Sequence, residues 1–203
     1  MEEIREIETK DGSITFHNEE YGEAYHSLTG AEEEAREKYA KPANIKPKNK
    51  ILDICFGLGY NSAAALDITT DIEITAIEKD PNILKKTLNL KTEFKHYNII
   101  KETIEGKQTQ ITLFVDDARK VIKTLPNNQF DIVFLDPFSP KKCPELWTQE
   151  FFKDINKSMK QGAKLFTYSC ARVVRDNLKA TGFKVSDGPS VGRWAPSTIA
   201  EKL

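Results

Sequence analysis

The chain has 203 residues, a length that fits one domain of ordinary size, and a formal net charge of −1. That charge argues against a protein that coats nucleic acid, although it leaves room for a local basic patch. No apolar run approaches the ~20 residues of a membrane helix, and the first residues lack a signal-peptide core, so we expect a cytoplasmic protein with no membrane contact. The three cysteines are too scattered for a disulfide framework or a zinc site, and we expect no metal.

The amino-terminal part differs in pattern from the rest. Residues 4–7 and 13–16 are predicted strands joined by an Asp-Gly hairpin signal. The aromatic and acidic stretch HNEEYGEAYHSLTG comes next, followed by a helix-prone segment at 31–40 and a linker at 41–49. We predict that residues 1–49 form an N-terminal extension with a loop that covers a cofactor.

From residue 50 to residue 203, strand and helix patterns alternate. Strands are predicted at 51–55, 72–77, 111–115, 130–135 and 164–168, with a closing pair near 183–185 and 197–200. Helices are predicted at 62–68, 81–90, 95–106, 118–125, 148–159 and 171–181. Such alternation predicts an α/β domain of Rossmann-like type, a parallel sheet with helices on both faces.

A glycine-rich turn follows the first strand of this domain, in ILDICFGLGYNS. Gly57 and Gly59 allow a tight turn with positive φ and a close approach of the backbone to a ligand. The third glycine of a dinucleotide fingerprint is replaced by Ser62. An ordinary tight turn therefore remains an alternative to a cofactor site.

Acidic residues end the next two strands. Glu78 closes ITAIE, where a carboxylate can accept hydrogen bonds from both ribose hydroxyls. Asp116 and Asp117 close the third strand, where an adenine would lie. Such a pair is often only a helix N-cap and its neighbour, and capping and ligand contact can coexist. Three acidic strand ends around one glycine loop predict an adenosine ligand. The missing third glycine favours S-adenosylmethionine over a dinucleotide, and Asp53 lies near where its cationic amino-acid end would be.

The fourth strand, FDIVFL, ends in Asp136 and a proline-stiffened loop. Apolar runs of this kind are typical of strands buried on both faces. Ligands of open α/β sheets bind outside the carboxyl ends of the strands, so Asp136 is a candidate catalytic residue. The alternative is a helix cap or a brace of the loop.

Four segments together resemble the MnmC-like methyltransferases: ILDICFGLGYNS, VDDAR, FDIVFLDPFSPKKCPELWTQEFF and GAKLFTYSCARVVRDNLKATGFKV. The amino-terminal DGSITFHNEEYGEAYHSLTGAEEEAREKY is also similar to that family. The resemblance implies S-adenosylmethionine-dependent methyl transfer to the exocyclic aminomethyl nitrogen of a 5-aminomethyl-(2-thio)uridine at the tRNA wobble position.

The resemblance also implies roles for particular residues. The glycine loop (Gly57, Gly59 and Asn61), Glu78, Asp117 and Ala118 would hold the cofactor, with Tyr25 closing over it. Asp136 would face the amine. The FAD-dependent oxidoreductase half of the two-domain bacterial enzymes is absent from this sequence, so a separate enzyme is expected to supply the aminomethyl intermediate.

Aromatic and basic residues near the catalytic loop are candidate tRNA contacts. Phe138 and Trp147 could stack on a base or form an apolar wall, although a core role is an equal interpretation for Trp147. Phosphate contacts are expected from Lys141, Lys142, Arg172, Arg175 and Arg193, any of which could instead be a solvated surface charge.

Three other functions fit the same patterns. An N-methyltransferase could act on a small amine or on another RNA position, and an aminopropyl transferase could use decarboxylated S-adenosylmethionine on a similar fold. A non-catalytic adenosine-binding or tRNA-binding protein is the alternative from a different class. Four strand-end carboxylates, at Asp53, Glu78, Asp117 and Asp136, favour an enzyme.

Overall fold

The computed structural model describes residues 4–192 and 194–203. Its strands are β1 (Ile4–Glu8), β2 (Ile14–Asn18), β3 (Glu23–Ala24), β4 (Lys50–Ile54), β5 (Glu73–Glu78), β6 (Ile111–Val115), β7 (Phe130–Leu135), β8 (Met159–Thr167), β9 (Phe183–Asp187) and β10 (Thr198–Lys202). Its α-helices are α1 (Ala31–Glu34), α2 (Lys41–Ala43), α3 (Tyr60–Ile68), α4 (Pro81–Thr87), α5 (Tyr97–Ile104), α6 (Ala118–Val121), α7 (Gln149–Ser158) and α8 (Arg172–Ala180). A π-helical turn, Ala35–Ala40, joins α1 to α2.

Seven strands form the central sheet, in the order β6-β5-β4-β7-β8-β10-β9. The pairs from β6 to β8 are parallel, while β10 is antiparallel to both of its neighbours. The predicted Rossmann-like α/β sheet is confirmed. Because β4 to β7 are parallel neighbours, their carboxyl ends meet at one edge, where such sheets bind ligands.

Alternating residues of the central strands bury opposite faces of the sheet. In β7, Ile132 and Phe134 pack into one hydrophobic cluster, and Val133 and Leu135 pack into the other. The first cluster also contains Phe16 and Tyr39 from the amino-terminal part of the chain. That part forms the antiparallel sheet β1-β2-β3 and the helical segment 31–43, and it packs on one face of the central sheet. The proposed boundary between residues 49 and 50 stays a prediction.

Several predicted boundaries are wrong. The predicted linker begins with a helical turn, Lys41–Ala43, which ends where Asn44 takes a left-handed φ of 51°. Strand β8 begins at Met159 rather than at residue 164, because an irregularity in its pairing with β7 absorbs the polar residues around Gly162. The short strand β3 and the 3₁₀ turn Pro144–Trp147 carry no periodic pattern, and the sequence did not indicate them.

Among the described residues, no helix combines the length and the apolar character needed to span a lipid bilayer.

Candidate active site

A cavity of about 750 Å³ opens at the carboxyl edge of the parallel strands. Ligand-binding clefts commonly have volumes of roughly 300–1,000 Å³. Its walls come from the strand ends and from the segment between β2 and α1. Nine carboxyl side chains line it, against two lysines: Glu20, Glu23, Glu34, Glu78, Asp80, Asp116, Asp117, Asp136 and Glu145, with Lys38 and Lys79. Such a wall favours a cationic ligand.

The glycine-rich turn has the backbone conformation that the sequence predicts. Gly57 and Gly59 have φ values of +52° and +72°, and Cys55 is left-handed as well. Gly57 lines the cavity, whereas Gly59 does not. A Cβ on Gly59 would lie 2.6 Å from Phe56 Cζ and 2.7 Å from Ile100 Cγ2. Gly59 therefore permits close packing of the turn on α5, and the cavity wall is left to Gly57.

Glu78, the last residue of β5, lines the cavity with a fixed carboxylate. Its Oε2 accepts from the Gly57 N–H at 2.8 Å, and its Oε1 accepts from the Asp80 N–H at 2.8 Å. Burial raises the pKa of Glu78, and the two backbone donors oppose that rise. Each carboxylate oxygen keeps a further lone pair, which suits the two hydroxyls of a ribose.

Asp117 and Ala118 also line the cavity, after β6. The Asp117 side chain accepts from the Arg119 N–H at 2.9 Å and so caps α6. It also forms an ion pair with the Arg119 guanidinium at 2.5 Å, and those hydrogen bonds lower the pKa of Asp117. The capping interpretation and the cavity-wall interpretation of this residue therefore both hold.

Asp53 and Asn61 lie behind the glycine turn and do not form the cavity wall. Asp53 is fully buried, and its Oδ2 accepts from Ser62 Oγ at 2.6 Å. Burial raises the pKa of Asp53 to about 7. In the described part of the chain, Asp53 Oδ1 and Asn61 Oδ1 are buried acceptors that no donor reaches. Buried acceptors are normally paired, so these two oxygens are an exception behind the cavity wall.

Asp136 follows β7 and lines the cavity. Its Oδ1 accepts from the Tyr39 hydroxyl at 2.7 Å, and its Oδ2 accepts from Asn61 Nδ2 at 2.9 Å. Burial and the nearby charge of Glu34 raise the pKa of Asp136 to about 7, against the two hydrogen bonds. Two donors thus fix the orientation of a carboxyl group that binds a proton more tightly than an ordinary aspartate.

The helical segment 31–43 brings side chains to the site that sequence reasoning missed. Glu34 and Lys38 line the cavity and form a buried ion pair at 2.6 Å. Tyr39 is fully buried and reaches Asp136 from the π-helical turn, a distortion often found at functional sites. The four-residue spacing of Glu34 and Lys38 is visible in the sequence, but it is equally typical of a solvated pair on a helix surface.

His26 is a second residue that the sequence did not indicate. It lines the cavity, and its Nδ1 lies 3.2 Å from Thr15 Oγ1. Burial lowers the pKa of His26 to about 4, so the imidazole is neutral at physiological pH. The sequence showed that the surrounding stretch is aromatic, but it did not single out His26.

The segment between β2 and α1 covers the loop that follows β7. Tyr21 stacks on Phe138 with ring centroids 4.5 Å apart, and Tyr25 meets the same ring edge-on at 5.0 Å. The carboxylate of Glu23 accepts from both the backbone N–H and the hydroxyl of Ser139, at 2.8 and 2.5 Å. These contacts fix Tyr25 as one wall of the cavity, and its expected place over the cofactor stays a prediction.

The predicted substrate contacts fall into different environments. Phe138 lines the cavity, whereas Lys141, Lys142 and Arg172 are exposed outside its wall. Trp147 is buried, and its Nε1 donates to the Phe138 carbonyl at 2.9 Å, so it braces the loop after β7 from inside. The Arg175 guanidinium is held by Asp187 at 2.6 Å and by β10. Arg193 lies outside the described residues.

A model of the S-adenosyl-L-methionine-dependent methyltransferase family matches residues 83–202. A curated relative from Methanocaldococcus jannaschii, itself uncharacterized, is 37% identical over 97% of this chain and 59% of its own length. The tRNA 5-methylaminomethyl-2-thiouridine biosynthesis bifunctional protein MnmC of Polaromonas naphthalenivorans is 25% identical over 93% of this chain and 34% of its own length. The chain thus spans between about a third and three fifths of the length of these relatives.

Solved structures agree with the sequence relatives. The crystal structure of MNMC2 from Aquifex aeolicus matches 98% of this chain and 70% of its own, with a TM-score of 0.82 and 33% identity. Spermidine synthase from Thermotoga maritima matches with a TM-score of 0.70 over the whole of this chain and 69% of its own, at 13% identity. The second likeness concerns the fold alone. The resemblance to the MnmC-like methyltransferases is confirmed.

Proposed function

Because this chain belongs to the family of S-adenosyl-L-methionine-dependent methyltransferases, we propose that it methylates the exocyclic aminomethyl nitrogen of a modified wobble uridine in tRNA. S-adenosyl-L-methionine is its cofactor, and its relatives include the methyltransferase part of MnmC. The names of those relatives support the uridine substrate. The same chemistry on a small amine or on another RNA position is the alternative.

The observation that carries the proposal is the environment of Asp136. This carboxyl group faces a cavity whose walls hold nine carboxyl groups and two lysines. An alkyl amine has a pKa near the ~10.4 of a lysine side chain and arrives mostly as a cation. A cavity of this charge attracts both a protonated amine and a cationic cofactor, and it disfavours an anionic acceptor.

The cofactor supplies an electrophilic methyl group on a sulfonium. Tyr39 and Asn61 donate to Asp136 and hold its carboxylate in one orientation. In that orientation Asp136 can bind the ammonium form of the acceptor, take one of its protons and leave a lone pair on nitrogen. Transfer of the methyl group to that lone pair would give a methylated ammonium and S-adenosylhomocysteine, and Asp136 would hold the one proton removed.

The raised pKa of Asp136 suits this transfer. A carboxylate with a pKa of about 7 is a stronger base than an ordinary aspartate, yet it is half ionised at neutral pH. Positioning of the two reactants accounts for much of the remaining acceleration. Glu78, Gly57, Asp117 and Ala118 form the part of the wall proposed to hold the adenosine. Asp53 and Asn61 are proposed to hold the amino-acid end, which would require their buried oxygens to become accessible when the cofactor binds.

The tRNA is proposed to contact the exposed cations beside the cavity. Lys141 and Lys142 are exposed in the loop after β7, and the Arg172 side chain is 95% exposed at the start of α8. Phosphate contacts of this kind add affinity without sequence readout. The carboxyl groups inside the cavity would repel phosphate, so only the modified base is proposed to enter. A separate cytoplasmic enzyme would supply its aminomethyl arm.

Nucleoside analysis of tRNA from a strain that lacks the gene tests this proposal. We expect the methylaminomethyl nucleoside to disappear and its aminomethyl precursor to accumulate. Expression of the intact gene should restore the methylated nucleoside, whereas the Asp136→Asn variant should not. An unchanged nucleoside profile in the deletion strain would refute the proposed substrate.

A further inference from the structure

Lys38 is a buried cation with unused hydrogen-bonding capacity. Its side chain is 3% exposed and lines the cavity. An ammonium group has three N–H donors. Across the described residues, Lys38 Nζ donates one hydrogen bond, to Glu34 Oε1 at 2.6 Å. Buried donors are rarely left without an acceptor. The remaining N–H donors of Lys38 can therefore bind an acceptor atom of a ligand in the cavity.

The ion pair lies beside the catalytic carboxyl group. The charge of Glu34 raises the pKa of Asp136, and the charge of Lys38 lowers it. Tyr39, the next residue along the π-helical turn, donates directly to Asp136. The second oxygen of Glu34 accepts from the Ser27 N–H at 2.7 Å, which anchors the pair to the segment that covers the cavity. Lys38 and Asp136 therefore line the same cavity, and the residue next to Lys38 contacts Asp136 directly.

We propose that Lys38, held by Glu34, donates a hydrogen bond to a carbonyl oxygen of the acceptor and so orients the amine toward Asp136. Glu34 already balances the charge of Lys38, so a neutral carbonyl oxygen suits this position better than a carboxylate or a phosphate. This inference rests on the proposed function. It adds a rule of substrate choice: the acceptor carries a carbonyl oxygen next to its aminomethyl arm.

A uracil ring meets that rule, because one of its ring carbonyls neighbours the carbon that bears the arm. An amine bound only by Asp136 could rotate about a single contact. A second contact at the neighbouring carbonyl fixes the direction of the nitrogen lone pair, which is the geometry that methyl transfer requires. Lys38 is thus a substrate-binding residue that separates a modified uridine from a simple alkyl amine.

A paired change in enzyme and substrate tests this role. The substrates are two anticodon stem-loop RNAs, one with 5-aminomethyluridine at the wobble position and one with its 4-thio analogue, whose sulfur is a poor hydrogen-bond acceptor. For the unaltered protein, we expect the thio substitution to lower kcat/KM about 10-fold, because a hydrogen bond to a charged donor is lost. Because the lost contact orients the nitrogen lone pair, we expect most of that loss in kcat.

The double variant Glu34→Gln/Lys38→Met removes both charges, so no unpaired ion stays buried. It should methylate both RNAs at the same low rate and bind S-adenosylhomocysteine with unchanged affinity in calorimetry. The matched control is Glu37→Gln/Lys41→Met, the exposed ion pair with the same spacing in the same helical segment, which should keep the 10-fold preference for the oxo RNA.

The outcomes separate this inference from the proposed function. An unaltered protein that is inactive on the oxo RNA overturns the proposed function and the inference together. An active protein that treats the two RNAs alike overturns the inference alone. If the double variant does not fold, the comparison of the two RNAs on the unaltered protein still decides between these results.

Discussion

At the scale of single residues, the hydrogen bonds around Asp136 bear on its proposed role as a base. Tyr39 comes from the amino-terminal helical segment and Asn61 from α3, and each donates to a different oxygen of the carboxyl group. The carboxyl group is thus held in one orientation at the cavity wall. This geometry is compatible with the proposed catalytic role of Asp136, which stays a prediction.

Replacement of Asp136 by Asn keeps the size of the side chain but removes the base. We expect kcat for methyl transfer to fall by about 10²–10⁴-fold, the usual contribution of general acid–base catalysis. Binding of S-adenosylhomocysteine, measured by calorimetry, should change little. Asp131→Asn is the control, because Asp131 lies at the opposite end of β7 and pairs with Lys160. Near-normal turnover of Asp136→Asn would contradict the assigned role.

Asp53 gives a prediction about stability and pH. Burial raises its pKa in the folded protein to about 7, above the reference value of 3.8. In the unfolded chain the group ionises at lower pH, so the folded state binds more protons between about pH 4 and 7. The contribution of Asp53 to stability is thus full below the unfolded pKa and is lost as the pH rises through the folded pKa.

The Asp53→Asn variant lacks the ionisable group, so it does not lose stability through Asp53 as the pH rises. We expect the stability of the variant relative to the unaltered protein to increase as the pH rises from about 4 to 7, by ~1.4 kcal/mol for each unit of pKa shift. Urea unfolding at several pH values measures the difference. A difference that stays constant over this range would show that Asp53 ionises normally in the folded protein.

The residues named from the sequence and those missed differ in a physical way. Gly57, Glu78 and Asp136 lie at strand ends, where topology alone brings them to one edge of the sheet. Lys38 and Tyr39 reach the site through a helical segment that packs across the sheet, and no local pattern states where such a segment docks. Arg175 has a basic side chain, but the fold places an acid, Asp187, beside it.

At the scale of elements, the turn after β4 shows two uses of glycine. Gly57 provides an open cavity wall, with Tyr25 3.4 Å from where its Cβ would lie. Gly59 lies against Phe56 and Ile100, and packing rather than ligand approach excludes a side chain there. The two glycines are equivalent in the sequence pattern, and only the packing of α5 separates them.

Gly59→Ala should destabilise the fold more than a change at a comparable open glycine. Gly106→Ala is the matched control: its φ is +78°, close to the +72° of Gly59, and a Cβ there would meet nothing within 4 Å. Both variants place an alanine at a positive φ, so the difference between their free energies of unfolding measures the clash at Gly59. We expect that difference to be about 1–3 kcal/mol in denaturant unfolding, the usual cost of overpacking. Equal stability of the two variants would show that the turn relaxes freely.

The regular elements were predictable because each has its own periodic signal. The buried apolar runs of β4 and β7 and the N-cap and proline that begin α4 are examples. The π-helical turn has no comparable signal, since AREKYA reads as ordinary helix. This turn matters for the site because it carries Lys38 and Tyr39. The short strand β3 depends on its partner β2 for its existence.

At the scale of the whole molecule, the amino-terminal part completes the site. The central sheet alone provides Glu78, Asp117 and Asp136, and the amino-terminal part adds Tyr25 and the pair of Glu34 and Lys38. Two hydrogen bonds join these parts: the Ser139 hydroxyl donates to Glu23, and the Tyr39 hydroxyl donates to Asp136. One hydrophobic cluster contains residues from both parts, so the cavity exists only when they are packed together.

The most direct test of the account is methyl transfer to a defined RNA. An anticodon stem-loop with 5-aminomethyluridine at the wobble position and an identical one with unmodified uridine are incubated with the protein and methyl-labelled S-adenosylmethionine. Mass spectrometry of the nucleosides should show one labelled methyl group on the aminomethyl nitrogen of the first RNA and none on the second. Absence of transfer, or a label on the ribose or on the unmodified RNA, would contradict the account.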